Sequence, residues 1–224
     1  QLGIVLNQAS VTTATNSTAD AEIAAREYAL LVRWFIEPLL LKNYPAVAGE
    51  QAHLDAVVKA GDFDCIAQPL DFLGINYYSR IWASHDDIPA PLPKTDMDWE
   101  IYPQGLTELL TGLKKNYVHL PPIYIYENGM ANNDILLDGR VADSARIDYT
   151  HAHIAALKAA MDAGVDVAGY FYWSLMDNFE WAGGYAKRFG LVHVDYATQV
   201  RTLKDSAKWY RQFIAEQRGL QSIM

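Results

Sequence analysis

Glu127 is the residue of this sequence best placed to do chemistry. It directly follows the apolar run Pro122-Ile123-Tyr124-Ile125-Tyr126, and Gly129 just beyond permits a tight turn. A carboxylate at a strand end can serve as a nucleophile when hydrogen-bond donors converge on it and favour its ionised form. Three other segments emerge from apolar runs in the same way: Asn7, then Asn76-Tyr77-Tyr78, then Trp173-Ser174-Leu175. Brought to one mouth with Glu127-Asn128-Gly129, they supply amides, tyrosine hydroxyls and an indole. An isolated strand-end Glu is as readily a helix cap or a surface carboxylate; the converging donors favour function.

A second constellation runs from Trp173 through Asp177, Asn178, Phe179 and Glu180 to Trp181. Indoles offer flat apolar faces and a carboxylate accepts from vicinal hydroxyls, which together match the C–H face and hydroxyl edge of a pyranose ring. On composition alone, a pair of core tryptophans is the blander account and the one favoured. The histidines His53, His85, His119, His151, His153 and His193 are scattered, with solvated or core roles expected, and the adjacent Asp86 and Asp87 are expected at the surface. Neither a Cys/His metal cluster nor a Ser-His-Asp arrangement lies near the strand ends, so no metal or organic cofactor is implied.

These residues must be held by a scaffold. Apolar runs at Gly3 to Asn7, Asp71 to Asn76, Pro122 to Tyr126 and Val167 to Trp173 lack strict alternation, as strands of a covered parallel sheet or barrel wall do. Helical patterns lie between and after them. Residues 20–41 place Ala24, Tyr28, Leu31 and Phe35 on one stripe, with Ser17 and Thr18 as caps. Leu106, Leu109, Leu110 and Leu113 form a second stripe. A third helix begins near Asp143, carries Ile147, Ile154, Leu157 and Met161, and stops at Gly164; a fourth uses Tyr210, Phe213, Ile214 and Gln217 before Gly219. Stretches 42–70 and 79–101 are expected to be irregular. The βα rhythm, repeated four times, predicts an α/β fold.

Composition narrows the partners. A net charge of −9 argues against nucleic acid, which needs clustered Lys and Arg. No apolar run reaches the roughly 18 residues of a membrane span. The single Cys65 rules out an internal disulfide and fits a reducing, cytoplasmic location. Gln1 leads at once into the first apolar run, so the chain is expected to be a fragment, one half-barrel domain over 1–224. Four βα units alone would leave an apolar face and two strand edges unpartnered, and either a missing half or a second copy would cover them.

Taken together, the segments resemble the family 1 glycoside hydrolases, the β-glucosidase family. The likeness is carried by Asp71 to Tyr78, Trp99-Glu100-Ile101-Tyr102-Pro103, Tyr126-Glu127-Asn128-Gly129, Trp173 to Trp181, Gly184 to Leu191 continuing to Asp195-Tyr196, and Arg201 to Ser206. The resemblance implies a (β/α)₈ barrel of which these are strands five to eight, the C-terminal half. It implies Glu127 as nucleophile, Tyr78 as its hydrogen-bonding tyrosine, and Asn76 in the same motif. Glu180 and Trp181 would hold glycone hydroxyls, Trp173 and Phe189 would border the sugar, and Trp99 would lie toward the leaving group. The implied substrate is an unphosphorylated β-glycoside, because phospho-β-glycosidases replace the Glu-Trp pair.

The chain departs from the family in having Tyr126 where Thr is usual and Asp98 where Gly is usual. The acid/base Asn-Glu-Pro motif is absent from the sequence, whose one Glu-Pro, Glu37-Pro38, falls late in a predicted helix. The expectation is little or no turnover by the chain alone. A non-catalytic half-barrel that pairs as a structural or binding module is the competing expectation.

Overall fold

A computed structural model describes residues 1–219. Its centre is a parallel sheet of four strands, β1 (Gly3–Asn7), β3 (Phe72–Asn76), β5 (Ile123–Glu127) and β6 (Val167–Tyr170), in the order β1-β3-β5-β6. Each apolar run of the sequence is one of these strands, although the last ends at Tyr170, short of Trp173. Helices cover one face: α1 (Thr18–Tyr28), α2 (Trp34–Leu41), α5 (Gln104–Asn116), α6 (Ser144–Asp162) and α7 (Asp205–Gln217). Between these lie two short helices, α3 (Gln51–Val57) and α4 (Asp62–Ile66), within the stretch expected to be irregular. Two small sheets also lie outside the four-unit rhythm. β2 (Ser10–Thr13) pairs in parallel with β4 (Arg80–Ala83), and β7 (Val192–Val194) pairs antiparallel with β8 (Arg201–Leu203).

The core lies between sheet and helices. Leu6, Leu73, Ile75, Ile123 and Ile125 point outward from the strands into Val32, Ile36 and the α5 stripe Leu106, Leu109, Leu110 and Leu113. All four α5 leucines are buried, as their spacing predicts. The stripe of the first helical pattern is shifted. Ser17 caps α1 by accepting from the Asp20 N–H, but residues Ala29–Arg33 form a π turn before α2 begins. That wide turn holds one extra residue and rotates the face that follows it. Val32 and Ile36 are therefore buried where Leu31 and Phe35 were expected, and Phe35 is exposed.

α6 differs more. It ends in a Schellman cap, with Val165 N–H reaching Ala160 C=O and Gly164 at φ +86°. Its buried face, however, is Arg146, Tyr149, Thr150, His153, Leu157 and Ala160; of the expected stripe only Leu157 is buried, and Met161 is exposed.

The opposite face of the sheet is bare. Phe72, Tyr124, Tyr126 and Phe171 form a cluster with ring centroids 5.4–5.8 Å apart in the Phe72–Tyr124, Phe72–Tyr126 and Tyr126–Phe171 pairs. Val5 and Phe171 on this face are exposed. Among the described residues the barrel is not closed: β1 and β6 each have one unpaired edge within the sheet.

Candidate active site

The strand register decides where Glu127 points. Ile75 pairs with Ile125, but Asn76 pairs with Glu127, so Tyr126 is an extra residue on β5. Side chains alternate across a strand, and without that bulge Glu127 would face the helices. With it, Glu127 shares the inner face with Asn76, at the C-terminal rim. The Tyr78 hydroxyl donates to Glu127 Oε2 at 2.5 Å. Burial first, and then the carboxylate it serves, hold the Tyr78 phenol far above its ordinary pKa, so it remains a proton donor.

Aromatic rings buttress this pair. Tyr78 lies 5.4 Å from Trp99 and 6.1 Å from Phe189, and those two rings are 6.3 Å apart. Phe189 is fully buried. Beside Tyr78 and Trp99 opens a cleft of about 380 Å³, whose lining includes Asn7, Gln8, Lys94 and Asp98. Asp98, standing where the resembled family has Gly, adopts φ +63° and pairs with Lys94 at 3.0 Å. A left-handed position favours glycine and tolerates aspartate.

The second constellation follows β6. Trp173 N–H donates to Asn128 C=O at 3.0 Å, which stitches this loop to the residue after Glu127. The peptide between Trp173 and Ser174 is cis. Glu180 is 8% exposed, and its pKa is raised, by burial first and also by the Glu127 carboxylate, with the Trp173 indole opposing. A buried carboxyl beside a second carboxylate, flanked by an indole, suits a polyhydroxylated ligand. Trp181 begins a short 3₁₀ turn (Trp181–Gly183) and its side chain is not gathered into the cluster, since the residue is 84% exposed. Asn76 leaves its Oδ1 buried without a partner, an acceptor free for a ligand donor.

Three expectations for the mouth are corrected. Tyr77 is buried on the helix side, where its hydroxyl donates to Tyr102 C=O at 2.7 Å. Asn128 also turns to the helix side; it donates to Tyr77 C=O at 2.8 Å and accepts from the Tyr170 hydroxyl at 2.8 Å. Alternation along the strand carries that signal, because neighbours of an inner-face residue point outward. Gly129 is required by close approach rather than by a turn: a Cβ there would stand 1.9 Å from Trp173 O.

A buried ionic cluster behind the site was not anticipated. Arg146, Asp134, Asp143, Asp177 and Lys204 all have fully buried side chains, and Arg188 joins them at 2.6 Å from Asp177. The spacing of Asp143 and Arg146 on one helix turn hinted at one pair, but the remaining members are distant in sequence. Among the described residues no group of three or more His, Cys, Asp or Glu is arranged to hold a metal, and no helix is long and apolar enough to cross a membrane.

An inward carboxylate at a strand end, a tyrosine donor on it, and an indole–carboxylate pair beside it meet at the rim of an α/β scaffold. The chain belongs to glycosyl hydrolase family 1, whose model matches residues 1–219. It is 41% identical over 222 residues to a β-glucosidase of Agrobacterium sp. (strain ATCC 21400), covering 93% of this chain and 48% of that one. Its fold is similar to the AHE enzyme from Alicyclobacillus herbarius, with TM-score 0.90, 42% identity and coverage of 99% of this chain and 52% of that chain. It is likewise similar to the β-glucosidase from Thermotoga maritima in complex with glucoimidazole, at TM-score 0.87 and 38% identity over 95% of this chain and 50% of that one. The chain thus spans about half the length of the relatives it matches.

Proposed function

We propose that this chain is the nucleophile half of a retaining β-glycosidase acting on terminal, unphosphorylated β-glucosides, and that it corresponds to strands five to eight of the barrel. The observation that carries this reading is the 2.5 Å hydrogen bond from Tyr78 to an inward Glu127, whose carboxylate lies near enough to the buried Glu180 to help raise the pKa of Glu180. In the first step a Glu127 oxygen attacks the anomeric carbon, the bond to the leaving oxygen breaks, and a glycosyl ester forms. Water then displaces the carboxylate, so the anomeric configuration is retained. Glu180 and Trp173 hold the sugar, Trp181, exposed in this chain, joins them once the complementary half is in place, and Asn76 offers an acceptor beside it. Phe189 and Trp99 set the walls, with Trp99 on the leaving-group side.

A retaining pair requires a second carboxyl about 5–5.5 Å from the first to protonate the leaving oxygen and then activate water. The resemblance puts that residue in an Asn-Glu-Pro motif, which this sequence lacks. Glu37, of the one Glu-Pro, is buried in α2 and paired with Arg33 at 2.6 Å. The acid/base group is therefore supplied by a partner carrying the complementary, N-terminal half of the barrel.

The bare inner face and unpaired strand edges also suit a self-paired, non-catalytic half-barrel. The test is hydrolysis of an aryl β-D-glucoside by the purified chain alone and by the chain combined with a polypeptide supplying the complementary strands. Turnover only in the combination, with a β-anomer as first product, is expected. Turnover by the chain alone overturns the half-site reading; none in a correctly assembled combination overturns the glycosidase reading and favours self-pairing.

A further inference from the structure

Two arms carry the proposed site. One is the segment after β5, leaving Glu127 through Met130 to Asp134. The other is the long loop after β6, from Trp173 to Phe189, with Asp177 and Glu180 on it. The arms belong to different βα units, and Lys204 belongs to neither, sitting between β8 and α7. Its ammonium is fully buried, donates to Asp134 on the first arm, and donates to Asp177 on the second at 2.8 Å. Each of those aspartates also has an arginine of its own. Asp134 pairs with Arg146, whose guanidinium also reaches Met130 C=O on the first arm and, at 3.2 Å, Phe189 C=O on the second. Asp177 pairs with Arg188 at 2.6 Å and accepts from Gly190 N–H at 3.0 Å.

The cluster is charge-balanced: Asp134, Asp143 and Asp177 face Arg146, Arg188 and Lys204. Removing Lys204 leaves Asp134 and Asp177 with their own arginines, so neither arm loses its attachment. What is lost is the one cation that pairs with a carboxylate on both arms; Arg146 still reaches the second arm, but only through the Arg188 and Phe189 carbonyls. Resting on the glycosidase reading given above, we propose that Lys204 is a positioning residue: it fixes the arm bearing Glu180 and Phe189 against the arm bearing Glu127. Phe189 packs on Tyr78, which hydrogen-bonds Glu127, so the link bears on both the sugar clamp and the nucleophile.

Two variants separate positioning from simple charge balance. Lys204→Met leaves a buried net negative charge and is expected to destabilise the fold. Lys204→Met with Asp134→Asn restores neutrality without restoring the link. Amide hydrogen exchange over residues 174–190 is measured in this chain, and kcat and KM for an aryl β-glucoside in the combination with the complementary half. The neutral double variant is expected to recover the thermal midpoint while exchange in 174–190 stays about tenfold faster than in the parent. In the combination kcat should fall about 10- to 100-fold, the cost of a misplaced reacting group. Parental exchange in the double variant overturns the proposal, leaving Lys204 a charge-balancing residue, and so does failure of that variant to fold. If the parent combination shows no hydrolysis, the glycosidase reading fails while exchange still decides the coupling.

Discussion

The two faces of the central sheet are built from the same strands and have opposite fates. On the outer face Leu73, Ile75, Ile123 and Ile125 are each at most 2% exposed beneath the helices. On the inner face Phe72, Tyr124 and Tyr126 remain partly open and Phe171 is 50% exposed. Stability in this chain therefore resides on the outer face, whereas the proposed chemistry resides on the inner face, at its C-terminal rim. The bulge at Tyr126 makes that division possible, since it moves Glu127 to the inner face without disturbing Ile125 on the outer one.

The sharpest way to break this division is at Glu127 itself. Glu127→Gln should lower kcat of the combined barrel by roughly 10⁴-fold or more, because the covalent step loses its nucleophile. Urea unfolding of the same variant chain should move by less than about 0.5 kcal/mol, as expected for a side chain outside the core. A large stability loss would mean that the rim carriers are structural after all. Ile125→Ala, two residues earlier on the outer face, should do the reverse. Deleting its buried methyl groups should cost about 2–5 kcal/mol by urea denaturation.

A pH titration sharpens the outer-face side. His153 is fully buried on α6, stacks on Tyr149 at 3.9 Å between centroids, and places Nδ1 2.8 Å from Tyr149 C=O. Burial lowers its pKa from the usual 6.5 to about 4. Between those values the unfolded chain binds the extra proton, so stability is fully present above pH 6.5 and is lost as the pH falls through about 4. The integrated loss is about 3 kcal/mol at 1.36 kcal/mol per pKa unit. His153→Phe should remove that slope from unfolding free energies measured between pH 7 and pH 4, while leaving the slopes due to carboxylates. An unchanged slope would show that another group carries it.

Much of this arrangement was legible in the sequence for one physical reason: apolar periodicity reports burial. The α5 leucines and the four strands follow it directly. It failed where the backbone geometry changed or where the buried face is polar. The π turn at Ala29–Arg33 exchanged Leu31 and Phe35 for Val32 and Ile36, and nothing in residue type marks an extra residue in a helical turn. On α6, Arg146 is buried because Asp143 one turn back and Asp134 off the helix satisfy it, and His153 because it stacks on Tyr149; apolar periodicity reports neither. The site followed the same logic. Glu127, Tyr78 and the Trp173–Trp181 segment were visible at strand ends, while Tyr77 and Asn128 were misassigned because alternation continues through the rim.

Tyr78→Phe asks how far the rim depends on the donor. A hydrogen bond to a charged group is worth about 1.5–3 kcal/mol, so kcat/KM in the combined barrel should fall about 10- to 100-fold. The aromatic contacts with Trp99 and Phe189 survive in that variant, so KM and chain stability should change little. A loss expressed wholly in KM would reassign Tyr78 from nucleophile partner to sugar contact.

The smallest effect is expected at Phe171, and it tests the inner face most directly. Its ring sits 5.4 Å from Tyr126 and at the open end of the cluster, half exposed to water. A side chain that has not left water contributes little when removed, so Phe171→Ala in this chain alone should change unfolding free energy by no more than about 0.5 kcal/mol. Once the complementary strands cover the inner face the same ring becomes core, and its deletion should cost about 3–5 kcal/mol. The difference between the two measurements is the burial that the partner supplies. If Phe171→Ala is already costly in the isolated chain, the inner face is covered there too, by self-association, and the cost should then rise with chain concentration.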